Sequence, residues 1–218
     1  MPERVEIDQD IKVAKEFDHQ AKGYDKSYTV NTYQRKAQGM VIEQTHVKEG
    51  MNILDLGCGT GSGTIDLAVK LKGTGKVIGI DLSEKMINEA KNKIDVTNPG
   101  NVEFIVGSGH SLEYDNYFDY VISTNAYHHF ENKIEVFSNV YKSLKINGVF
   151  IIQDICDDFF LMKLVDIAGK LGEKAHVGSS TADQLNNIFE SAKFNNVQIE
   201  RYRLNWFWKI MIGKAQKI

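Results

Sequence analysis

Short apolar runs alternate along this chain with stretches whose apolar residues recur at helical spacing. The runs are Met51–Leu56, Val77–Ile80, Val102–Val106, Phe118–Asn125 and Val149–Gln153, each brief and rich in Ile, Val or Leu. Their weak polar alternation predicts strands covered on both faces, as in a parallel sheet. Between them Ile65, Ala68, Val69 and Leu71, then Met86, Ile87, Ala90 and Ile94, then Ile134, Phe137, Val140, Tyr141 and Leu144 predict the covering helices. Upstream, Ile11, Ala14, Phe17, Ala21 and Tyr24 predict a helix over about Ile11 to Tyr28, weakened at Gly23, and a second helix follows over about Thr32 to Thr45. Downstream, Thr181-x-x-Gln184 is a capping box ahead of Leu185, Ile188, Phe189 and Ala192. Val197–Arg203 and Asn205–Lys214 read as a closing antiparallel pair, with Trp206, Phe207 and Trp208 as sheet packing. The pattern predicts α/β architecture with seven strands in one domain over residues 1–218. Residues 1–46 form a helical N-terminal segment, 47–154 a ligand-binding half, and 155–218 a lid helix and closing strands.

The first strand runs straight into glycines: Met51-Asn-Ile-Leu-Asp-Leu-Gly-Cys-Gly-Thr-Gly61. In an open α/β sheet the ligand lies beyond the carboxyl ends of the strands, and glycines there let backbone approach it. A dinucleotide fingerprint is the rival reading, but it spaces its glycines Gly-x-Gly-x-x-Gly. Here the third glycine arrives one residue early, Ser62 stands where that pattern needs glycine, and Asp55 places a negative charge just before the loop. A carboxylate there repels a pyrophosphate and suits a ligand that carries an ammonium group and a sulfonium. The second strand ends in Asp81, placed to accept hydrogen bonds from both hydroxyls of a ribose. Ser83 suits the N-cap of the next helix.

The run Ile53 to Gly61 resembles motif I of the class I S-adenosyl-L-methionine (SAM) methyltransferases at every position. Phe17-Asp-His-Gln-Ala-Lys-Gly-Tyr-Asp25 resembles the leading segment of small-molecule members, including the ubiquinone and menaquinone C-methyltransferases, and Phe118-Asp-Tyr-Val-Ile resembles their fourth strand. The resemblance implies a Rossmann-like seven-stranded sheet, mostly parallel with one antiparallel strand, helices on both faces and a small helical lid. It implies SAM as cofactor and S-adenosylhomocysteine as product. Candidate cofactor contacts are Asp55, Gly57, Cys58, Gly59 and Gly61 at the turn, Asp81 at the ribose, Leu82 and Met86 at the adenine, and Tyr24 over the methionine end. Asn125, with Ser123 and Thr124, falls beside the sulfonium. Met86 and Tyr24 also fit ordinary helix packing. Where relatives read Gly-Asp-Ala-Glu, this chain has Gly107-Ser-Gly-His110, which shifts the adenine contact to the Ser108 hydroxyl and the Gly109 amide. His129, in Tyr127-His-His-Phe130, is the candidate general base, with plain structural hydrogen bonding as its alternative.

Composition narrows the acceptor. The net charge is −3 and the pI near 6.1, so no global basic footprint invites nucleic acid. The two cysteines, Cys58 and Cys156, have no metal-ligand spacing, and Asp154, Asp157 and Asp158 lack the convergence a hard cation needs, so no metal is expected. The acidic N-terminus (Pro2, Glu3, Arg4, Glu6, Asp8, Asp10) and the absence of a long apolar run suggest a cytoplasmic protein without a membrane span, acting as monomer or homodimer on a small-molecule acceptor. A SAM-binding protein without turnover and an RNA or protein methyltransferase are the alternatives.

Overall fold

The computed structural model describes residues 2–97, 100–172 and 175–218; the side chains of residues 2–8, Glu3, Glu6 and Asp8 among them, and of 95–97 lie outside that description. In chain order the elements are α1 (Pro2–Gln20), α2 (Arg35–Gln44), β1 (Asn52–Leu56), α3 (Ser62–Lys70), β2 (Lys76–Asp81), α4 (Glu84–Thr97) and β3 (Val102–Val106). They continue as β4 (Phe118–Thr124), α5 (Lys133–Ser143), β5 (Leu144–Ile155), α6 (Phe160–Gly172), α7 (Ala182–Ser191), β6 (Asn195–Arg203) and β7 (Lys209–Gln216). The seven strands form one sheet in the order β3-β2-β1-β4-β5-β7-β6. Only β7 runs against the others, antiparallel to both β5 and β6. The order reverses between β1 and β4, the switch point at which a doubly wound sheet opens a crevice for its ligand.

Successive residues of each strand face opposite layers. Leu54, Ile78, Val121, Phe150 and Ile152 pack with Phe137 of α5 and Phe189 of α7. Their neighbours Ile53, Val77, Ile122 and Ile151 pack with Val41 of α2 and Leu67 of α3. Edge-to-face contacts join Phe137 to Phe150 and Phe189 at centroid distances of 5.0 and 4.9 Å, and each such fully buried side chain contributes roughly 1.5–3 kcal/mol. The caps read from sequence form: Ser83 Oγ accepts from the Met86 amide, and Thr181 and Gln184 complete a capping box on α7.

Several boundaries differ from the sequence pattern, among them the start of α1 at Pro2 rather than Ile11. The first helix does not reach Tyr28: α1 stops at Gln20, and Ala21–Lys26, which contains Gly23, winds into a tighter 3₁₀ turn that frees Tyr24 from the helical face. The fifth strand begins at Leu144, paired with Phe118, five residues before the apolar run starts. The last strand begins only at Lys209, because the Asn205 side chain accepts from the Phe207 and Trp208 amides and curls that stretch into a turn. Trp206 is therefore 84% exposed rather than packed on the sheet. Among the described residues no helix is long and apolar enough to cross a membrane.

Candidate active site

The turn after β1 is pinned by two backbone bonds, from the Gly57 and Cys58 amides to the Ile80 carbonyl (2.8 and 3.1 Å). Its glycines serve different purposes, although all three have positive φ. A Cβ on Gly57 would lie 2.4 Å from that of Ala126, and one on Gly61 would lie 2.3 Å from the Phe104 ring. A Cβ on Gly59 would meet nothing within 4 Å, because that face opens onto a cavity. The Gly59 amide donates to Asp81 Oδ2 (2.8 Å) and the Ser83 amide to Oδ1 (2.9 Å). Burial raises the Asp81 carboxyl above its ordinary value, against the pull of these amides. Each oxygen accepts one amide and keeps acceptor capacity, and Asp81 lines the cavity, an acceptor pair that two vicinal hydroxyls would complete.

Three cavities meet here. The first, about 680 Å³, runs over the strand ends past Gly59, Asp81, Leu82 and Met86 to Ser108 and Gly109. The second, about 410 Å³, lies under Tyr24 and is walled by Cys58, Thr60, Gln34 and Arg35. The third, about 1220 Å³, is bounded by Val165, Ala168 and Gly169 of α6, by Trp208 and Tyr33, and by His128. Among the described residues only Asn125, at φ +54 just beyond β4, borders all three.

The adjacent histidines divide between cavities. His129 lines the first, its Nδ1 on the Ala175 carbonyl (2.9 Å) and Phe17 edge-on to its ring at 5.1 Å. Burial, and then the neighbouring His128, push its pKa down to about 3. His128 lines the third, its ring 4.0 Å from that of His129. Its Nδ1 lies 2.8 and 2.9 Å from the two Asp154 oxygens, and its amide donates to Asp154 Oδ2 at 3.0 Å. Asp154 is 1% exposed. Burial alone would raise its carboxyl, but His128 and the Ile155 amide hold it below the ordinary value. The chain following α6 is tied to the same place: the Val177 and Gly178 amides donate to the His128 carbonyl (3.0 and 2.9 Å), and His176 Nε2 meets Asp166 at 2.7 Å.

Residues 47–203 match the family described as "Methyltransferase domain". The chain belongs to the class I SAM-dependent methyltransferases. It is 26% identical over 214 residues to a demethylmenaquinone methyltransferase of Geobacillus stearothermophilus, covering 88% of this chain and 92% of that protein. It is 31% identical over 140 residues to the enzyme of that name from Listeria welshimeri, spanning 63% of this chain and 59% of the relative. In fold it resembles phosphoethanolamine N-methyltransferase 2 of Haemonchus contortus in complex with SAM, with a TM-score of 0.71, 16% identity, and coverage of 92% of this chain and 60% of that one.

The methyltransferase's cavity offers SAM two features on its own geometry: the buried acid Asp81, expected at the ribose, and an open glycine face beside it. Of the residues expected to hold the cofactor, Tyr24, Gly57, Gly59, Asp81, Leu82, Met86, Ser108, Gly109 and Asn125 line the first cavity, and Cys58 lines the second. Two expected contacts do not reach either. Gly61 is turned onto Phe104 and Ala90, so it shapes the loop from behind. Asp55 is wholly buried under the turn, where Thr64 Oγ1 donates to its Oδ2 (2.7 Å). Burial pushes its carboxyl up to about 6, and it presents no charge to the cavity. His129 does line the cofactor cavity, but so depressed a pKa makes it a poor proton acceptor, whereas His128 carries a carboxylate partner. Sequence reasoning preferred His129 to His128 and weighed Asp154 only as part of a metal cluster, so it did not bring this pair together. Their spacing gave no local signal, since 26 residues and the β4–β5 pairing separate them.

Proposed function

We propose that this methyltransferase moves the SAM methyl group to a small-molecule acceptor seated in the third cavity, with His128 taking the acceptor's proton. The observation that carries this is the meeting of all three cavities at Asn125, with the His128–Asp154 pair on the acceptor side of the junction. Bound SAM supplies a methyl group already activated by its sulfonium. The protein's work is therefore to align donor and acceptor, exclude water and manage one proton.

With Nδ1–H donated to Asp154, the neutral form of His128 carries its lone pair on Nε2. Nε2 removes the acceptor's proton while the freed electron pair takes the methyl, and Asp154 stabilises the imidazolium until it releases the proton to solvent. Tyr24 roofs the second cavity as a neutral phenol: burial, and then Asp81, push its pKa up to about 12, and its hydroxyl donates to Gln34 Oε1 (3.0 Å). The apolar walls supplied by Val165, Ala168, Ile210 and Trp208 favour a flat, largely apolar acceptor bearing an acidic hydroxyl. Demethylmenaquinone, named by the relatives, is the first acceptor to try, in its reduced form, which carries the hydroxyl. The net acidity of the chain supports a small molecule over RNA.

The test is incubation with methyl-labelled SAM and three pools: small metabolites with lipids, RNA, and protein. Label in the low-mass pool supports the reading. Label confined to RNA or protein refutes it.

A further inference from the structure

The cofactor cavity crosses the ends of successive strands, and its polar groups change in that order. Asn125 stands beyond β4, the glycine turn beyond β1, and Asp81 at the tip of β2. Ser108 stands beyond β3, next to Asp81, whose carbonyl accepts from the Gly107 amide (3.0 Å). With its amino-acid end over β1 and β4 and its ribose on Asp81, the cofactor points its base across β3. That end is apolar on its faces, with Ile80, Leu82, Met86 and Val13, and polar at its rim.

Ser108 is poorly placed to serve that rim as an acceptor. Its hydroxyl proton is committed to Asp10 Oδ2, its oxygen accepts from the His110 amide (3.1 Å), and His110 Nδ1 lies 3.2 Å from the same oxygen. Asp10 comes from α1, 98 residues earlier, and is only 20% exposed. Among the described residues its hydrogen-bonding contacts, from Ser108 and from His110 Nδ1, both fall on Oδ2. Oδ1 is the oxygen left for a ligand. The helix is held in register by a second attachment, since Asp18 Oδ1 accepts from Ser83 Oγ (2.5 Å) and the Lys85 amide (3.1 Å).

We propose that Asp10 is the adenine-reading residue of this enzyme: its Oδ1 accepts the exocyclic amine of the base, doing from the N-terminal helix what the loop after β3 no longer does. An ionised carboxylate only accepts, so it matches an amine and opposes a carbonyl oxygen at the same position. The inference rests on the cofactor reading, and its test separates the two.

Binding of S-adenosylhomocysteine and of S-inosylhomocysteine, in which the 6-amino group is replaced by oxygen, is measured by calorimetry on the full chain. The wild type is expected to prefer the adenosyl ligand by tenfold or more, about 1.4 kcal/mol. In Asp10→Asn, whose amide can donate to the oxo group, the preference should shrink to less than threefold or invert. The preference is a ratio within one protein, so a loosened fold that weakens both ligands equally leaves it unchanged. An unchanged ratio in Asp10→Asn overturns the inference. So does a wild-type preference below threefold, with no variant needed. Failure of the wild type to bind S-adenosylhomocysteine at all would overturn the cofactor reading and this inference with it.

Discussion

Replacing Asp81 with alanine tests the grip on the cofactor most directly. In the folded protein this carboxylate accepts from two amides, Gly59 and Ser83, and burial raises its pKa. A ribose brings two further donors to a group that the protein alone holds under-solvated. Hydrogen bonds to a charged group contribute roughly 1.5–3 kcal/mol each before non-additivity. The expected loss in Asp81→Ala is roughly 1–3 kcal/mol, or about 5- to 150-fold in Kd for S-adenosylhomocysteine. The same geometry fixes a pH dependence. Because the free carboxyl is raised, the ionised form that ribose needs is depleted as pH falls through that raised value. Ribose binding favours that form, so wild-type affinity weakens toward acid and binding is accompanied by proton release. For folding the sign is reversed: this group's contribution to stability is fully present below the ordinary carboxyl value and is lost as pH rises through the raised one. Calorimetry at pH 8 and pH 5.5 measures both effects. An unaltered Kd at pH 8 in Asp81→Ala, or an equally steep acid decline in variant and wild type, would refute the reasoning.

The glycines make a paired prediction. Gly61→Ala, whose Cβ would press on Phe104 at positive φ, should lower the melting temperature most, whereas Gly59→Ala carries only the strain of its φ of +53, roughly 1–2 kcal/mol, and should lower it less yet lose most S-adenosylhomocysteine affinity, because its methyl enters the cavity; equal behaviour of the two in melting and calorimetry contradicts this division. Asp55→Asn removes a buried charge whose pKa stands at about 6. Neutral Asp55 is the favoured folded form, so its contribution to stability fades as pH rises through about 6, and the variant's advantage in melting temperature should grow from pH 5 to pH 8. Its upper bound is roughly 3 kcal/mol, and a difference that does not vary with pH counts against it. Asp154→Asn and His128→Phe should leave S-adenosylhomocysteine affinity unchanged while lowering kcat roughly 10²-fold, assayed with reduced demethylmenaquinone; wild-type kcat in either variant removes His128 from the proton transfer.

The cofactor side was legible in sequence because its parts are short and local. A strand, a tight turn and an acid at the next strand tip each carry their own signature within a few residues, and the parallel pairing of β1 with β2 brings Gly57 and Asp81 together without any further information. Asp55 misled because proximity in sequence to the turn is not proximity to the cavity. Strand alternation sends it beneath the loop, onto Thr64. Tyr24 was legible as a residue but not in its setting, since the helix expected to carry it ends at Gln20. The acceptor side is assembled differently. His128 follows β4, Asp154 closes β5, α6 and the chain after it fold back on the His128 carbonyl, and Trp208 arrives from a turn that looked like a strand. Each contact spans tens of residues and depends on strand order, which no local pattern encodes. The same distinction explains Asp10: the loop after β3 reads as a lost acid, and only the packing of α1 across the strand ends shows a carboxylate returned to that place from 98 residues away. An enzyme built this way can change its acceptor by altering contacts among α6, the β6–β7 turn and the residues after β4 while the cofactor grip stays intact, because among the described residues the acceptor cavity shares only Asn125 and Gln34 with the two cofactor-side cavities.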